Sequence, residues 1–441
     1  MKCKKCGSEW KTNGEFKVWS CPFCWADLDN YPDSDEKSNL NFAAKKVDIS
    51  IGKNKDAKTS GRTEYDNGDV YEGELKDDLR HGKGKITYAN GETYDGEWRY
   101  GEKHGKGIYR YLNGDIYEGE YNNGTKDGRG KYIWKNGDVY EGEYKNGLRN
   151  GRGIYKFKNG EYYDGDWKDD KYDGVGKIKY ANGDTYEGEW KDDKRYGKGK
   201  YTHTSGSVYE GEYRDGIMNG KGIYRYANGD FYEGEWTNDK KHGKGIYKFK
   251  NGEYYDGEWK DNKYNGVGKF KYASGDIYEG EWKDDKRHGK GRYTHTNGSV
   301  YEGEYKDGFV NGRGIYRYSD GEVYDGEFKN GLSHGRGMYK FKNGEYYDGE
   351  WKDGKYDGMG KYKYSNGSTY EGEWKNDKKH GKGIYIFANG DILIGNYKNG
   401  LSEGRGIYIY SDGYITESTY VNGKCTAEYK FKGNLAAYMP F

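Results

Sequence analysis

Four cysteines near the N-terminus have the spacing best suited to chemistry in this 441-residue chain. Cys3 and Cys6 form one Cys-x-x-Cys pair, and Cys21 and Cys24 form a second. Two such pairs fit a tetrahedral four-thiolate zinc site, each pair supplying two sulfurs from a tight knuckle. Between them, Trp10, Asn13-Gly14, Phe16 and Trp19 read as a small hairpin. So short a segment cannot bury enough apolar area to fold alone, so structural zinc is the expected staple. A redox-active thiol pair, or two disulfides, is the competing reading. The opening Met1-Lys2-Cys3-Lys4-Lys5-Cys6 has no apolar leader, which points to a reducing, cytoplasmic setting. Cys425, far from these four, reads as a packed residue.

The other reactive side chains form no nucleophile–base–orienter set, and a non-enzymatic protein is expected. Six of eight histidines (His81, His104, His242, His288, His334 and His380) precede a Gly-x-Gly step in a polar stretch that reads as loop. Successive ones would lie roughly 10 Å apart, too far to share a metal. Glutamate pairs such as Glu118 and Glu120 recur beside lysines and read as ion-pair partners. Gly-Lys-Gly lacks the spacing of a phosphate-binding loop. Lys+Arg is 75 and Asp+Glu is 74, so the net charge of +1 removes the footprint of a nucleic-acid binder.

Those residues are positioned by a repeat. From Tyr71 to Ile415 a 23-residue unit recurs fifteen times without a gap, with Gly always at positions 3, 12, 14 and 21. The chain holds 75 glycines and 53 tyrosines but only 3 prolines, and 32% of it is hydrophobic. That composition cannot fill thick cores, yet its 18% aromatic share argues against disorder. A thin, extended fold that buries rings without a deep interior is what remains. A longer period also appears: KFKNGEYYDG begins at Lys156, Lys248 and Lys340, four units apart, and Val175, Val267 and Met359 keep the same spacing. Block duplication explains this; the alternative is a special face on every fourth unit.

Within the unit Tyr278 to Val300, Tyr278, Gly280 and Trp282 alternate with Glu279 and Glu281, and Gly289, Gly291 and Tyr293 alternate with Lys290 and Arg292. Each unit therefore predicts two strands and two turns, with Lys283–His288 as a polar loop. A three-residue loop ending in Gly298 sets Tyr301 against Tyr293, Gly303 against Gly291, Tyr305 against Gly289 and Glu304 against Lys290. A two-residue Asn-Gly turn would instead mix rings with carboxylates on one face. The favoured register puts rings and glycines on one face, where each ring can lie over bare backbone and bury on the order of 100 Å², roughly 2.5 kcal/mol. The other face should pair Glu at position 4 with bases at position 13 of flanking units. Thirty strands would span roughly 140 Å and curl into a trough with the rings inside.

The run Tyr-Glu-Gly-Glu-Trp-Lys-Asp-x-Lys-x-His-Gly-Lys-Gly-x-Tyr resembles the MORN repeat (membrane occupation and recognition nexus). The resemblance implies an all-β, elongated single-layer antiparallel hairpin ribbon with an aromatic-lined groove. It also implies scaffolding of protein partners, end-to-end self-association and, in some members, peripheral contact with phospholipid membranes. The enzyme and membrane-anchor segments joined to some family members are not matched here. The expected organisation is a zinc ribbon over 1–28, a flexible linker over 29–58, the repeat array over 59–415 and a degenerate repeat with a cap over 416–441. The expected groove residues are Trp98, Trp167, Trp190, Trp236, Trp259, Trp282, Trp351 and Trp374 at position 5. Tyr117, Tyr140, Tyr186, Tyr209, Tyr232, Tyr278 and Tyr301 join them from position 1. Binding of protein through this groove is the leading functional expectation, with phospholipid association or a secreted cell-wall-binding role as alternatives.

Replacing one ligand should separate head from array. Cys6→Ser is expected to abolish zinc binding, measured by metal analysis of the purified chain, while the thermal unfolding of the array stays where it was.

Overall fold

The computed structural model describes residues 59–432; the four-cysteine segment, the linker and residues 433–441 lie outside them. Among the described residues there are 33 β-strands and no helix. They divide into two compact units, one of residues 59–114 with 121–124, the other of residues 115–120 with 125–432. In the first, Thr59–Glu64, Val70–Lys76, Leu79–Thr87, Thr93–Arg99 and Glu102–Arg110 pair in chain order, all antiparallel. In the second, the same rule holds from Thr125–Ile133 through to Lys424–Lys432.

The unit beginning at Tyr186 shows how local chemistry builds this pattern. Its strands are Thr185–Lys191 and Lys194–Thr202, followed by Val208–Arg214 of the next unit. The His203–Ser207 link is the expected three-residue loop. His203 N–H donates to Ser207 O at 2.8 Å, Gly206 N–H donates to His203 O at 2.9 Å, and Gly206 has φ +93°. A side chain other than glycine's is disfavoured at that angle. The resulting register agrees pair for pair with the sequence reading, including Tyr293↔Tyr301, Gly291↔Gly303, Gly289↔Tyr305 and Lys290↔Glu304.

The other connection differs from expectation. Lys283 ends one strand and Lys286 begins the next, so only Asp284 and Asp285 form the turn. Both have positive φ, 48° and 66°, as a two-residue type I′ hairpin requires. The tight turn rejected for the Asn-Gly end thus occurs at the opposite end, where Asp and Asn tolerate left-handed backbone. His288 and its counterparts consequently sit in strands. The residues left over are taken up by a bulge: Gly188 pairs with Gly199 but Glu189 pairs with Tyr196, leaving Gly197 and Lys198 without partners on that side.

On the ring face the tyrosine of position 1 lies across two glycines. A Cβ placed on Gly199 would sit 2.5 Å from Tyr186 Cζ, and one on Gly188 would sit 2.5 Å from the Gly199 Cα. The Tyr186 hydroxyl donates to the Glu189 carbonyl at 2.9 Å, pinning the ring flat. Tyr186 meets Trp190 edge-on at 5.1 Å and Tyr213 of the next unit at 5.3 Å. Every position-1 tyrosine from Tyr71 to Tyr370 is 0–1% exposed, without an opposing layer of sheet over it. Cys425, read from sequence as packed, is instead exposed on the last strand.

Gly199→Val is expected to cost roughly 3 kcal/mol or more, because the ring has nowhere to go. Amide exchange should show the damage extending into the hairpins on either side but fading beyond them, as nearest-neighbour stability requires.

Candidate functional site

The position-5 and position-1 rings expected to line a groove are gathered on one face, but they are buried in the structural layer. Trp98 and Trp167 are 3% exposed and Trp282, Trp351 and Trp374 are 7%. Each indole also donates back to a glycine carbonyl of the preceding unit, as Trp190 to Gly176 at 3.2 Å and Trp374 to Gly360 at 3.0 Å. Their hydrogen-bonding capacity is already used. The accessible part of this face is made by positions 10, 16 and 18. Tyr226, at position 18, is half-buried and lies 4.3 Å from Tyr224 and 5.7 Å from Tyr247, so rings run on from unit to unit beside the loops.

Position 10 is a feature of the ring face that the sequence reading passed over. Arg80 stands 4.4 Å over Trp98, Arg149 is 4.3 Å over Trp167, and Lys241 is 4.5 Å over Trp259. Burial lowers the Lys241 amine to about 8, with Asp285 and Asp230 opposing the shift. Every fourth unit replaces this cation by tyrosine: Tyr172, Tyr264 and Tyr356 stack on Tyr163, Tyr255 and Tyr347 at 3.7, 4.0 and 3.8 Å. The periodicity of cations and rings at position 10 could have been found by aligning the units against one another.

Position 22 ties the loops together. Asp184 accepts the Thr204 N–H at 2.8 Å, the Tyr201 hydroxyl at 2.9 Å and the Asn182 side-chain amide at 3.0 Å. These donors, the Thr204 backbone foremost, hold its carboxyl at about 2 despite its burial.

The opposite face is charged, and two depressions lie there. One, of about 840 Å³, is lined by Glu187, Glu210, Glu233, Lys198, Lys221 and Ile223 among others. A second, of about 1180 Å³, has an apolar floor of Ile384, Ile394 and Ile407 with Met359 and Tyr429 at its margins. These depressions are lined by carboxylates, amines and aliphatic side chains, whereas the sequence reading expected an aromatic-lined groove. The ion pairs on this face also differ from expectation. Lys269 meets Glu279 at 2.9 Å and Lys361 meets Glu371 at 3.3 Å, which joins position 15 to position 2 of the next unit. Position 4 is engaged elsewhere: Glu281 accepts the bulge N–H of Lys290 at 2.9 Å, as Glu189 does from Lys198. Arg152 and Asp166, 3.5 Å apart, form a pair of the expected kind. Val175, Val267 and Met359 stand exposed on this face by 50–61%. Among the described residues no group of three or more His, Cys, Asp or Glu is placed to hold a metal. Cys3, Cys6, Cys21 and Cys24 lie outside the described residues.

Consecutive hairpins, one bulge per unit and a ring laid over paired glycines define an antiparallel hairpin-repeat protein. The MORN repeat family model matches fourteen consecutive 23-residue segments from 71–93 to 370–392, and a fifteenth at 394–413. The chain belongs to the MORN repeat family. No curated protein matches it. Among solved structures, it is similar to the TCP domain of SAS-4 (dCPAP) from Drosophila melanogaster in complex with a proline-rich motif of Ana2 (dSTIL). That match has 20% identity over 35% of this chain and 85% of the other, with a TM-score of 0.23. The wild-type TCP10 domain of CPAP from Danio rerio matches at 10% identity over 50% and 99%, with a TM-score of 0.27. A streptogramin B lyase matches at 12% over 72% and 91%, with a TM-score of 0.12.

Asp184 has a folded-state pKa below its unfolded value, so its contribution is present above about pH 4 and is lost as pH falls toward 2. Asp184→Ala is expected to unfold at lower temperature than the parent chain at pH 7. Thermal melts from pH 7 to pH 2 should show the gap closing below pH 4.

Proposed function

We propose that this chain is a non-enzymatic scaffold whose charged face binds protein partners, with Cys3, Cys6, Cys21 and Cys24 holding a structural zinc in a separate N-terminal contact module. One observation carries the first part. The rings that would ordinarily make a sticky surface are consumed in building the sheet, and the open depressions lie on the Glu/Lys face. Near the C-terminal end that face changes character. Ile394 stands at position 2, where the units before it carry Glu or Asp, and it adds to Ile384 and Ile407 in one depression. An apolar floor between charged walls suits an extended peptide segment: the floor supplies burial, and the walls supply orientation and selectivity. Four thiolates at the spacing of two knuckles supply the donor set for zinc, which would staple the N-terminal segment without taking part in catalysis.

The test uses the full-length chain with a photo-crosslinking amino acid at position 394 and, separately, at the exposed turn residue Leu112 on a different surface. Defined partner bands are expected from position 394 only, and Ile407→Asp in the same background should remove them. Equal labelling from both positions, or bands indifferent to Ile407→Asp, would refute the groove as the binding face.

A further inference from the structure

Position 18 carries a ring in every unit. Tyrosine, phenylalanine, tryptophan or histidine stands there from Tyr88 to Tyr410. Within the larger compact unit, the longest run without histidine is Tyr318, Phe341, Tyr364, Phe387 and Tyr410. Each of the five follows the last residue of a strand and begins a three-residue loop. The loop fixes its backbone at both ends. Tyr364 N–H donates to Ser368 O at 2.9 Å, and the Tyr364 carbonyl accepts the Gly367 N–H at 3.0 Å. Phe341 and Phe387 are held in the same way.

The run is regular. Tyr318, Phe341, Tyr364 and Phe387 lie 5.9, 5.8, 5.7 and 5.6 Å from the position-16 ring of the following unit. That ring is in turn 4.5–4.7 Å from the next member. One unit is two strands, so successive members stand roughly 9.6 Å apart along the sheet. They are open where the position-1 tyrosines are sealed: Tyr318 is 39% exposed and the other four are partly exposed.

Charge is kept off these rings. The cations of this face sit over other positions, as Lys379 does over Tyr370 at 5.5 Å and Tyr385 at 4.7 Å. Among the described residues none lies over Tyr318, Phe341, Tyr364 or Phe387. The acids alongside are engaged by the loops. Glu345 accepts the Tyr362 hydroxyl at 2.7 Å and the Ser365 N–H at 3.0 Å, and Asp391 accepts from Tyr408 at 2.7 Å and Ser411 N–H at 2.8 Å. Tyr318 and Tyr364, two units apart, have hydroxyls with no hydrogen-bond partner among the described residues.

A neutral line of open rings at this step, with spare hydroxyl donors, selects one kind of backbone. A polyproline II helix has three residues per turn and rises about 3.1 Å per residue, so one edge repeats every ~9.3 Å. An extended strand repeats a side every ~6.8 Å and an α-helix turns every ~5.4 Å, and neither keeps pace with the rings. Polyproline II carbonyls make no internal hydrogen bonds and so can accept from tyrosine. Proline rings pack on aromatic side chains, and the stiff segment loses little entropy on docking.

We infer that the line from Tyr318 to Tyr410 binds a proline-rich segment of a partner protein in the polyproline II conformation, with every third residue seated against successive rings. The only prolines of this sequence are Pro22, Pro32 and Pro440, so a second copy of it does not supply that segment. The site lies on the ring face and does not depend on the charged groove proposed above.

The experiment is calorimetric titration of the full-length chain with proline oligomers two, three, four and five turns long. A Gly-Ser peptide of the greatest length and cellohexaose serve as comparison ligands. Saturable binding of the proline oligomers is expected, tightening with each added turn. Tyr364→Ala should weaken the longest oligomer roughly tenfold, and Tyr364→Phe, which keeps the ring and removes the donor, a few-fold. Tyr318→Ala, at the most exposed ring, repeats the test if the Tyr364 variant is poorly folded. Val267→Lys, on the charged face, should leave binding unchanged. Absence of saturable binding, affinity independent of oligomer length, equal binding of the Gly-Ser peptide, or indifference to both alanine variants would each overturn the assignment. So would loss of binding in Val267→Lys, or tighter binding of cellohexaose, which would mark the line as a glycan site.

Discussion

Everything in this protein depends on one contact: a tyrosine ring lying on backbone that has no side chains. Tyr186 covers Gly188 and Gly199, and its hydroxyl closes on the Glu189 carbonyl, so the ring is held at both ends. A sheet ordinarily needs a second layer to bury its apolar face. Here the covering comes from the sheet itself, and the pairs of glycines give it somewhere to lie. The same contact accounts for the composition: the glycines and tyrosines are the two halves of one device.

That device also decides where binding surface is available. A ring face used for structure leaves only its outermost positions for other work, and position 10 among them carries cations, stacked tyrosines or, in four units, Met218, Val310, Ser333 and Ser402. The reverse face, which carries far fewer rings, holds depressions and the ladder of Glu and Lys. Division of labour between the faces follows from which side of the pleat the glycines leave bare. The bulge sharpens it: by adding Gly197 and Lys198, it turns Glu189 onto backbone N–H groups, so the carboxylate serves the fold and not the surface.

Much of this could be read from residue types alone. Period, strand pairing and the pairing of Tyr with Tyr and Gly with Gly across the three-residue loop are local consequences of alternation and turn length, and residues 293–305 pair as their alternation requires. What escaped depended on backbone angles or on geometry between units. The Asp284–Asp285 turn was hidden because Asp is not the residue that advertises positive φ, and the strand therefore appeared to begin after His288. The role of Glu281 was hidden because a carboxylate opposite lysine invites an ion pair, whereas a bulge offers unpaired N–H groups nearer at hand. Trp282 looked like a surface ligand because burial in a one-layer sheet needs a neighbour's rings, and those are Tyr255, Tyr264 and Phe270 of the preceding unit.

The strand pairing is sequence-local throughout. In the hairpin of Thr185–Lys191 and Lys194–Thr202 the outermost partners, Thr185 and Thr202, are already the most distant in the chain. Little loop-closure entropy is lost at each step, so this all-β protein escapes the slow nucleation that non-local sheets suffer. A chain emerging from the ribosome can zip each hairpin onto the last before the following one has been translated, and assembly runs in the direction of synthesis.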